Sequence, residues 1–164
     1  MARQLQHRRG TTANHSTFTG ATAEITVDTD KKVAVVHDGS TAGGLPLAGL
    51  HLTQSFTAAQ RGTIVTLTDG ATITPDFALA NLFTVTLSGN RTLANPTNLV
   101  AGQSGSIFIV QNGSGSNTLA FGSYWDFAGG TAPTLTTAAG SVDRIDYVVR
   151  SSTSIHTVFT ANYS

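Results

Sequence analysis

The 164-residue sequence contains no cysteine, and its nine basic and nine acidic side chains give a formal net charge of zero. Without cysteine the chain can form neither a disulfide framework nor a thiolate metal site. Without a basic excess it lacks the charge that proteins use to bind nucleic acid phosphates. Nucleic acid is therefore not a predicted partner.

Long apolar runs are also missing, and no stretch approaches the length that is needed to span a bilayer. The first ten residues, MARQLQHRRG, are basic but have no apolar segment behind them, so they do not resemble a secretory signal. These absences predict a soluble protein that is made in a cytoplasm and has no membrane partner.

Small and hydroxyl-bearing residues take the place of charge. The chain has 27 threonines, 20 alanines, 17 glycines and 14 serines. Threonine-rich sequence that is interrupted by glycine is typical of short β-strands joined by turns. The composition therefore predicts an all-β fold.

The first 50 residues predict a small β module. Apolar and polar residues alternate from Ala23 to Asp28, DTDKK supplies a turn, and Lys32 to His37 returns, so residues 23–38 form a predicted hairpin. A domain of this size rarely gains more than about 3–5 kcal/mol from its core. With no disulfide to staple it, the module is expected to depend on oligomerisation.

Residues 51–62 form a predicted linker, and from 63 to 164 short strands recur with turn signals between them. NLFTVTLSGN (81–90) places Phe83, Val85 and Leu87 on one face, and RIDYVVR (144–150) with SIHTVFTANY (154–163) forms a closing hairpin. The regular spacing predicts a jelly-roll-like β-sandwich. Neither a heptad pattern nor a long internal repeat is present, so no fibre shaft is predicted.

Catalytic patterns are not found. GQSGS lacks the spacing of a nucleophile elbow, the five histidines are scattered, and the carboxylates show no pairing pattern, so neither an enzyme nor a cofactor or metal site is predicted. Tyr124, Trp125 and Asp126 are the exception of interest. Aromatic rings beside a carboxylate suit a glycan, whereas the same rings also suit the core or a contact between subunits.

A family resemblance is carried by RGTTA (9–13), HSTFTGA (15–21), EITVDTDKK (24–32), VVHDGSTAGG (35–44) and PLA (46–48). Residues 8–48 closely resemble the N-terminal domain of the phage major tropism determinant. The resemblance implies a β-prism in which three chains share one core, and hence a homotrimer. The second part resembles domains at the ends of phage fibre and spike proteins. It lacks the lectin-like variable domain of the major tropism determinant, so the receptor site of that family cannot be carried over.

Two functions compete: the architecture favours the first, which we prefer, and the resemblance favours the second. A squat trimer without a shaft suits a capsid decoration, or cement, protein on the phage head, bound to the major capsid protein or another virion protein. The alternative is a receptor-binding tail-fibre or tailspike tip that recognises a host surface glycan or protein. Arg3, Arg8 and Arg9 are candidates for docking to a virion partner. Tyr124, Trp125 and Asp126 are candidates for glycan or trimer contact at the virion surface.

Overall fold

The computed structural model describes residues 7–48 and 59–163. The chain divides into two compact units, Met1–Gln60 and Arg61–Ser164. The predicted linker 51–62 lies mostly outside the described residues. Within the described part, no helix is long and apolar enough to cross a membrane.

The N-terminal unit is a four-stranded sheet with one short helix. Its elements are β1 (Arg9–Gly10), α1 (Thr12–Ser16), β2 (Ile25–Asp28), β3 (Val33–Val36) and β4 (Leu45–Pro46). The strands lie in the order β1-β2-β3-β4, with β1 parallel to β2 and the other pairs antiparallel. The predicted hairpin is confirmed, because β2 and β3 pair across the Asp-rich turn.

The helix α1 was not predicted from the sequence. Thr11 caps it by accepting from the backbone N–H of Asn14, and the Asn14 side chain accepts in return from the Thr11 N–H. This reciprocal capping box satisfies donors at the first turn. A segment of five residues shows too little periodicity for the sequence pattern to reveal it.

The second unit contains two sheets. Its strands are β5 (Ile64–Thr66), β6 (Thr72–Ile73), β7 (Leu82–Leu87), β8 (Arg91–Leu93), β9 (Ser104–Gln111), β10 (Leu119–Phe121), β11 (Trp125–Phe127), β12 (Val142–Ser151) and β13 (Ser154–Thr160), with a 3₁₀ turn at Ala128–Gly130. One sheet has six strands in the order β11-β13-β12-β9-β7-β5, and the other has three in the order β10-β8-β6.

From β5 to β10 the chain alternates between the two sheets, and we call this stretch the parallel winding. In the six-stranded sheet, β7 pairs in parallel with both β5 and β9. In the three-stranded sheet, β8 pairs in parallel with both β6 and β10. The predicted closing hairpin, β12 with β13, then joins the six-stranded sheet antiparallel to β9.

A single apolar core fills the second unit, with side chains from both sheets. The six-stranded sheet contributes Phe83, Val85 and Leu87, the face predicted from the alternation, and the three-stranded sheet contributes Ile73 and Leu93. Because these side chains are almost completely buried, the two sheets form the layers of a sandwich.

The all-β fold class is confirmed, but the strands of the second unit do not pair as they do in a jelly roll. A jelly roll is built from antiparallel Greek keys, whereas the parallel winding pairs its strands in the same direction. Alternation along one strand shows which side chains are buried and carries no information on strand direction.

Candidate functional site

The sheet of the N-terminal unit carries most of its apolar residues on its outer side. Rows of register partners place Ile25, Val36 and Leu45 together and Val27, Ala34 and Leu47 together. We call these six residues the apolar face. Ile25, Leu45 and Leu47 are each about half exposed in the single chain. Exposed Arg9 lies beside Val27 at the β1 edge of this face. A largely apolar surface that is open to solvent usually marks an interaction surface.

The opposite side of the same sheet is the side that the chain buries, and it carries polar side chains beside two valines. Thr26, Asp28 and His37 point inward between Val33 and Val35, and all five are buried. A chain that folded alone would be expected to bury the apolar side and expose the polar one. The arrangement therefore suits a unit whose outer side is covered in an assembly.

Three buried side chains on the inner side form one line of hydrogen bonds. The Thr26 hydroxyl lies 2.8 Å from His15 Nε2 and 2.9 Å from His37 Nε2. His15 Nδ1 lies 3.0 Å from the Thr11 carbonyl oxygen, and His37 Nδ1 accepts from the Gly20 N–H at 3.2 Å. We call Thr26 and the two histidines the histidine–threonine line.

The end partners fix the direction of this line. The Thr11 carbonyl only accepts, so His15 carries its proton on Nδ1; the Gly20 amide only donates, so a neutral His37 carries its proton on Nε2. Thr26 then accepts from His37 and donates to His15. Every polar atom in the line is satisfied, and the line ties α1 to the sheet.

Asp28 makes a second tie to the helix. Its carboxylate accepts from the Thr12 hydroxyl at 2.7 Å and from the backbone N–H groups of Asp30 and Lys31, each at 3.0 Å. Burial alone would raise the pKa of Asp28, but the hydrogen bonds from Lys31, Thr12 and Asp30 outweigh it and hold that pKa below its usual value.

The basic docking candidates are only partly available. Arg3 lies outside the described residues. Arg8 forms an ion pair with Glu24 at 3.1 Å and lies over the Phe18 ring at 4.9 Å, whereas Arg9 is exposed on β1. Arg8 and Arg9 border a cavity of about 350 Å³ whose lining includes Phe18. Docking through these arginines stays a prediction.

The three candidates at 124–126 differ in how deeply their side chains are buried. The Trp125 indole is buried, donates from Nε1 to the Ala94 carbonyl at 3.0 Å and meets the Phe77 ring edge-on at 6.3 Å. It is a core side chain and is not presented to a ligand. Tyr124 is partly buried against the same core, and exposed Asp126 accepts from the Ser154 hydroxyl at 2.6 Å. A glycan contact at Tyr124 and Asp126 stays a prediction.

The remaining carboxylates of interest in the second unit are engaged in structural contacts. Buried Asp143 accepts from the backbone N–H groups of Thr136 and Asn162, and Asp146 pairs with Arg144 at 2.9 Å. Asp76 accepts from the Asn98 side-chain amide at 2.7 Å. In the part of the chain that the structure describes, no group of three or more His, Asp or Glu side chains is placed to hold a metal ion.

Sequence reasoning missed the polar inner side of the N-terminal sheet. The alternation of Ile25 and Val27 with Thr26 and Asp28 was visible, but the usual rule assigns the apolar residues to the interior. An alternating hairpin in a module whose core is too small to fold alone was the pattern that could have indicated an outward apolar side.

Comparison with known proteins supports the resemblance. Residues 5–41 match the family model described as the major tropism determinant N-terminal domain. A curated relative, the tail fiber receptor-binding protein of Bordetella phage BPP-1, is 69% identical over 48 residues, which cover 29% of this chain and 13% of the relative. The chain thus carries an N-terminal domain like that of the major tropism determinant, and it spans only 13% of that relative's length.

Solved structures give the same assignment at the sequence level. The major tropism determinant I1 variant is 71% identical over 27% of this chain and 12% of its own, with a TM-score of 0.27. The M1 variant is 31% identical over 88% of this chain and 37% of its own, with a TM-score of 0.30. The names of these relatives describe receptor binding and tropism rather than an enzymatic activity.

Proposed function

We propose that this chain is a phage tail component that binds a host surface receptor, held in the virion through its N-terminal unit. The observation that carries the proposal is the 69% identity over 48 residues to a tail fiber receptor-binding protein. The capsid decoration hypothesis has no support from the relatives, and the receptor-binding alternative fits them better.

The decoration hypothesis was preferred because the sequence predicts no fibre shaft. The second unit contains the parallel winding, in which strands distant in the sequence pair in parallel although the sequence shows no internal repeat. The absence of a sequence repeat therefore does not separate a head protein from a tail protein.

Adsorption to the host tests the receptor-binding role. Purified protein in excess is expected to slow adsorption of the phage that encodes it, because it occupies the receptor. Immunogold labelling of virions should place the protein on the tail, at a copy number far below that of the major capsid protein. Labelling over the whole head, at a copy number similar to that of the shell subunit, would instead restore the decoration hypothesis.

We further propose that the protein is a homotrimer assembled through the apolar face. Full burial of a leucine or isoleucine stabilises by about 1.5–3 kcal/mol, and three copies of this face would together bury several such side chains. The inner side of the sheet carries several polar side chains, so most of the apolar surface of the sheet lies on the outer side. This distribution supports the same proposal.

Sedimentation velocity of a charge variant tests this assembly. Leu45→Glu is expected to convert the trimer to monomer, because a carboxylate cannot be buried among apolar side chains without a partner. Leu79→Glu is the matched control: Leu79 is 64% exposed, as against 56% for Leu45, but it belongs to the second unit and is not part of the apolar face. A trimer that survives Leu45→Glu, or a wild-type protein that is already monomeric, would contradict the proposal.

A further inference from the structure

The turn that follows β9 contains the single Asn-Gly pair of the sequence, Asn112 and Gly113. Asn112 is half-buried, whereas Gly113 is exposed. The main-chain carbonyl of Asn112 accepts from the N–H groups of Gly115 and Gly140, each at 3.1 Å. The turn is therefore fixed at both ends and open to water in its middle.

The side chain of Asn112 serves this turn only as an acceptor. Its Oδ1 accepts from the N–H groups of Ser114 at 3.1 Å and Gly115 at 2.9 Å, and Asn117 Nδ2 lies 3.2 Å from the same oxygen. Among residues 7–48 and 59–163, nothing accepts a hydrogen bond from Asn112 Nδ2. A carboxylate, which is a pure acceptor, could therefore take the place of this amide and keep every bond.

The same arrangement occurs elsewhere in the chain with an aspartate in the acceptor position. Asp38 Oδ1 accepts from the N–H groups of Ser40 at 2.9 Å and Thr41 at 2.7 Å, which lie two and three residues further on. These donors hold the pKa of Asp38 well below its usual value. Asp28 accepts in the same way from the backbone of residues 30 and 31. The turn at Asn112 thus has the donors that elsewhere hold an ionised carboxylate.

Gly113 supplies a free nucleophile beside the Asn112 amide. Its N–H has no hydrogen-bond partner in the part of the chain that the structure describes, and nothing lies within 4 Å of the place where a Cβ would stand. Asn90 offers a contrast, because its Oδ1 also accepts a backbone N–H, that of Thr118 at 3.0 Å. The N–H of the next residue, Arg91, is however engaged with the Thr118 carbonyl at 2.9 Å.

We propose that Asn112 is a site of spontaneous deamidation and that its turn retains the aspartate product. The Gly113 nitrogen forms a bond to Asn112 Cγ while the Cγ–Nδ2 bond breaks, and Nδ2 leaves as ammonia with the proton that Gly113 gives up. Water then opens the succinimide ring to aspartate or isoaspartate. One water is consumed, no oxidant or reductant is needed, and the chain, whose formal net charge is zero, gains a negative charge.

Peptide mapping of the folded full-length chain, incubated at mildly alkaline pH, tests the reaction. Tandem mass spectrometry should find Asn112 converted faster than Asn90 by on the order of tenfold or more, a difference of about 1.4 kcal/mol in activation free energy. Gly113→Ala, which has room for its methyl group, should keep its strands by circular dichroism and slow conversion at position 112 to about the rate at Asn90. Equal rates at the two asparagines, or a rate at 112 that Gly113→Ala leaves unchanged, would overturn the site.

Urea unfolding of product-like variants tests whether the turn retains the aspartate. Asn112→Asp should raise the unfolding midpoint at neutral pH, because hydrogen bonds to an ionised acceptor are about twice as strong as those to a neutral one. Asn90→Asp is the matched control, since it adds the same charge where a single backbone N–H donates to the side chain. A midpoint for Asn112→Asp that does not exceed both the wild type and Asn90→Asp would overturn this part of the proposal. Both experiments give their answer whether or not the chain forms a trimer or binds a receptor.

Discussion

At the scale of single residues, the buried polar groups of the N-terminal unit make the most specific prediction. Nitrogen NMR of the imidazole rings should find the His15 proton on Nδ1 and the His37 proton on Nε2, because the Thr11 carbonyl and the Gly20 amide fix the ends of the histidine–threonine line. Thr26→Val should destabilise the unit by about 1–3 kcal/mol, since it leaves ring nitrogens buried without a partner.

Thr26→Ser is the matched control for this line. It keeps the hydroxyl and removes only a methyl group, so urea unfolding should show a loss near that of one buried methyl, about 1 kcal/mol. Equal losses for the valine and serine variants would show that the hydroxyl does not connect the two rings.

Tyr147 predicts how the second unit responds to alkali. Burial raises the pKa of its phenol from 10.0 to about 12. A group whose pKa is raised on folding stabilises below its unfolded value, so stability should fall between about pH 10 and pH 12. Phenolate absorbance should show Tyr147 titrating near pH 12, and Tyr147→Phe should lose this part of the alkaline transition. An unchanged transition in that variant would contradict the assignment.

At the scale of elements, Gly105 lets β9 approach the residue before β7. A methyl group at position 105 would overlap the Asn81 carbonyl oxygen, which accepts from the Ser106 N–H at 3.0 Å and from the Tyr147 hydroxyl at 3.1 Å. Gly105→Ala should therefore cost about 2–3 kcal/mol through strain between packed strands. Gly113→Ala, with nothing within 4 Å of the added carbon, should unfold like the wild type in thermal denaturation.

The same scale shows how far the sequence could predict the fold. The β2–β3 and β12–β13 hairpins were predictable because their alternation and turns are local. The parallel winding was not, because its partners are distant and unequally spaced, as Ile64, Leu82 and Ser106 show. Trp125 was ambiguous for a related reason: a strand residue beside glycines gives no sign of which side faces the core until its neighbouring strand is known.

At the scale of the whole molecule, the proposed trimer predicts that stability depends on protein concentration. Folding that is coupled to assembly obeys mass action, so the midpoint of thermal unfolding should rise as the chain becomes more concentrated. Calorimetry over a hundredfold range of concentration measures this rise. The Leu45→Glu variant should show a midpoint that does not depend on concentration, and a flat wild-type profile would contradict the coupling.

The order of strand pairing along the chain has a kinetic consequence. The β2–β3 hairpin joins neighbours in the sequence, and such hairpins form in about 1–10 μs. The parallel winding must first close long loops, which slows pairing. During synthesis the N-terminal unit emerges first, so we expect it to present its apolar face while the rest of the chain is still being made. Neighbouring ribosomes on one message would then bring nascent chains together before any of them is complete.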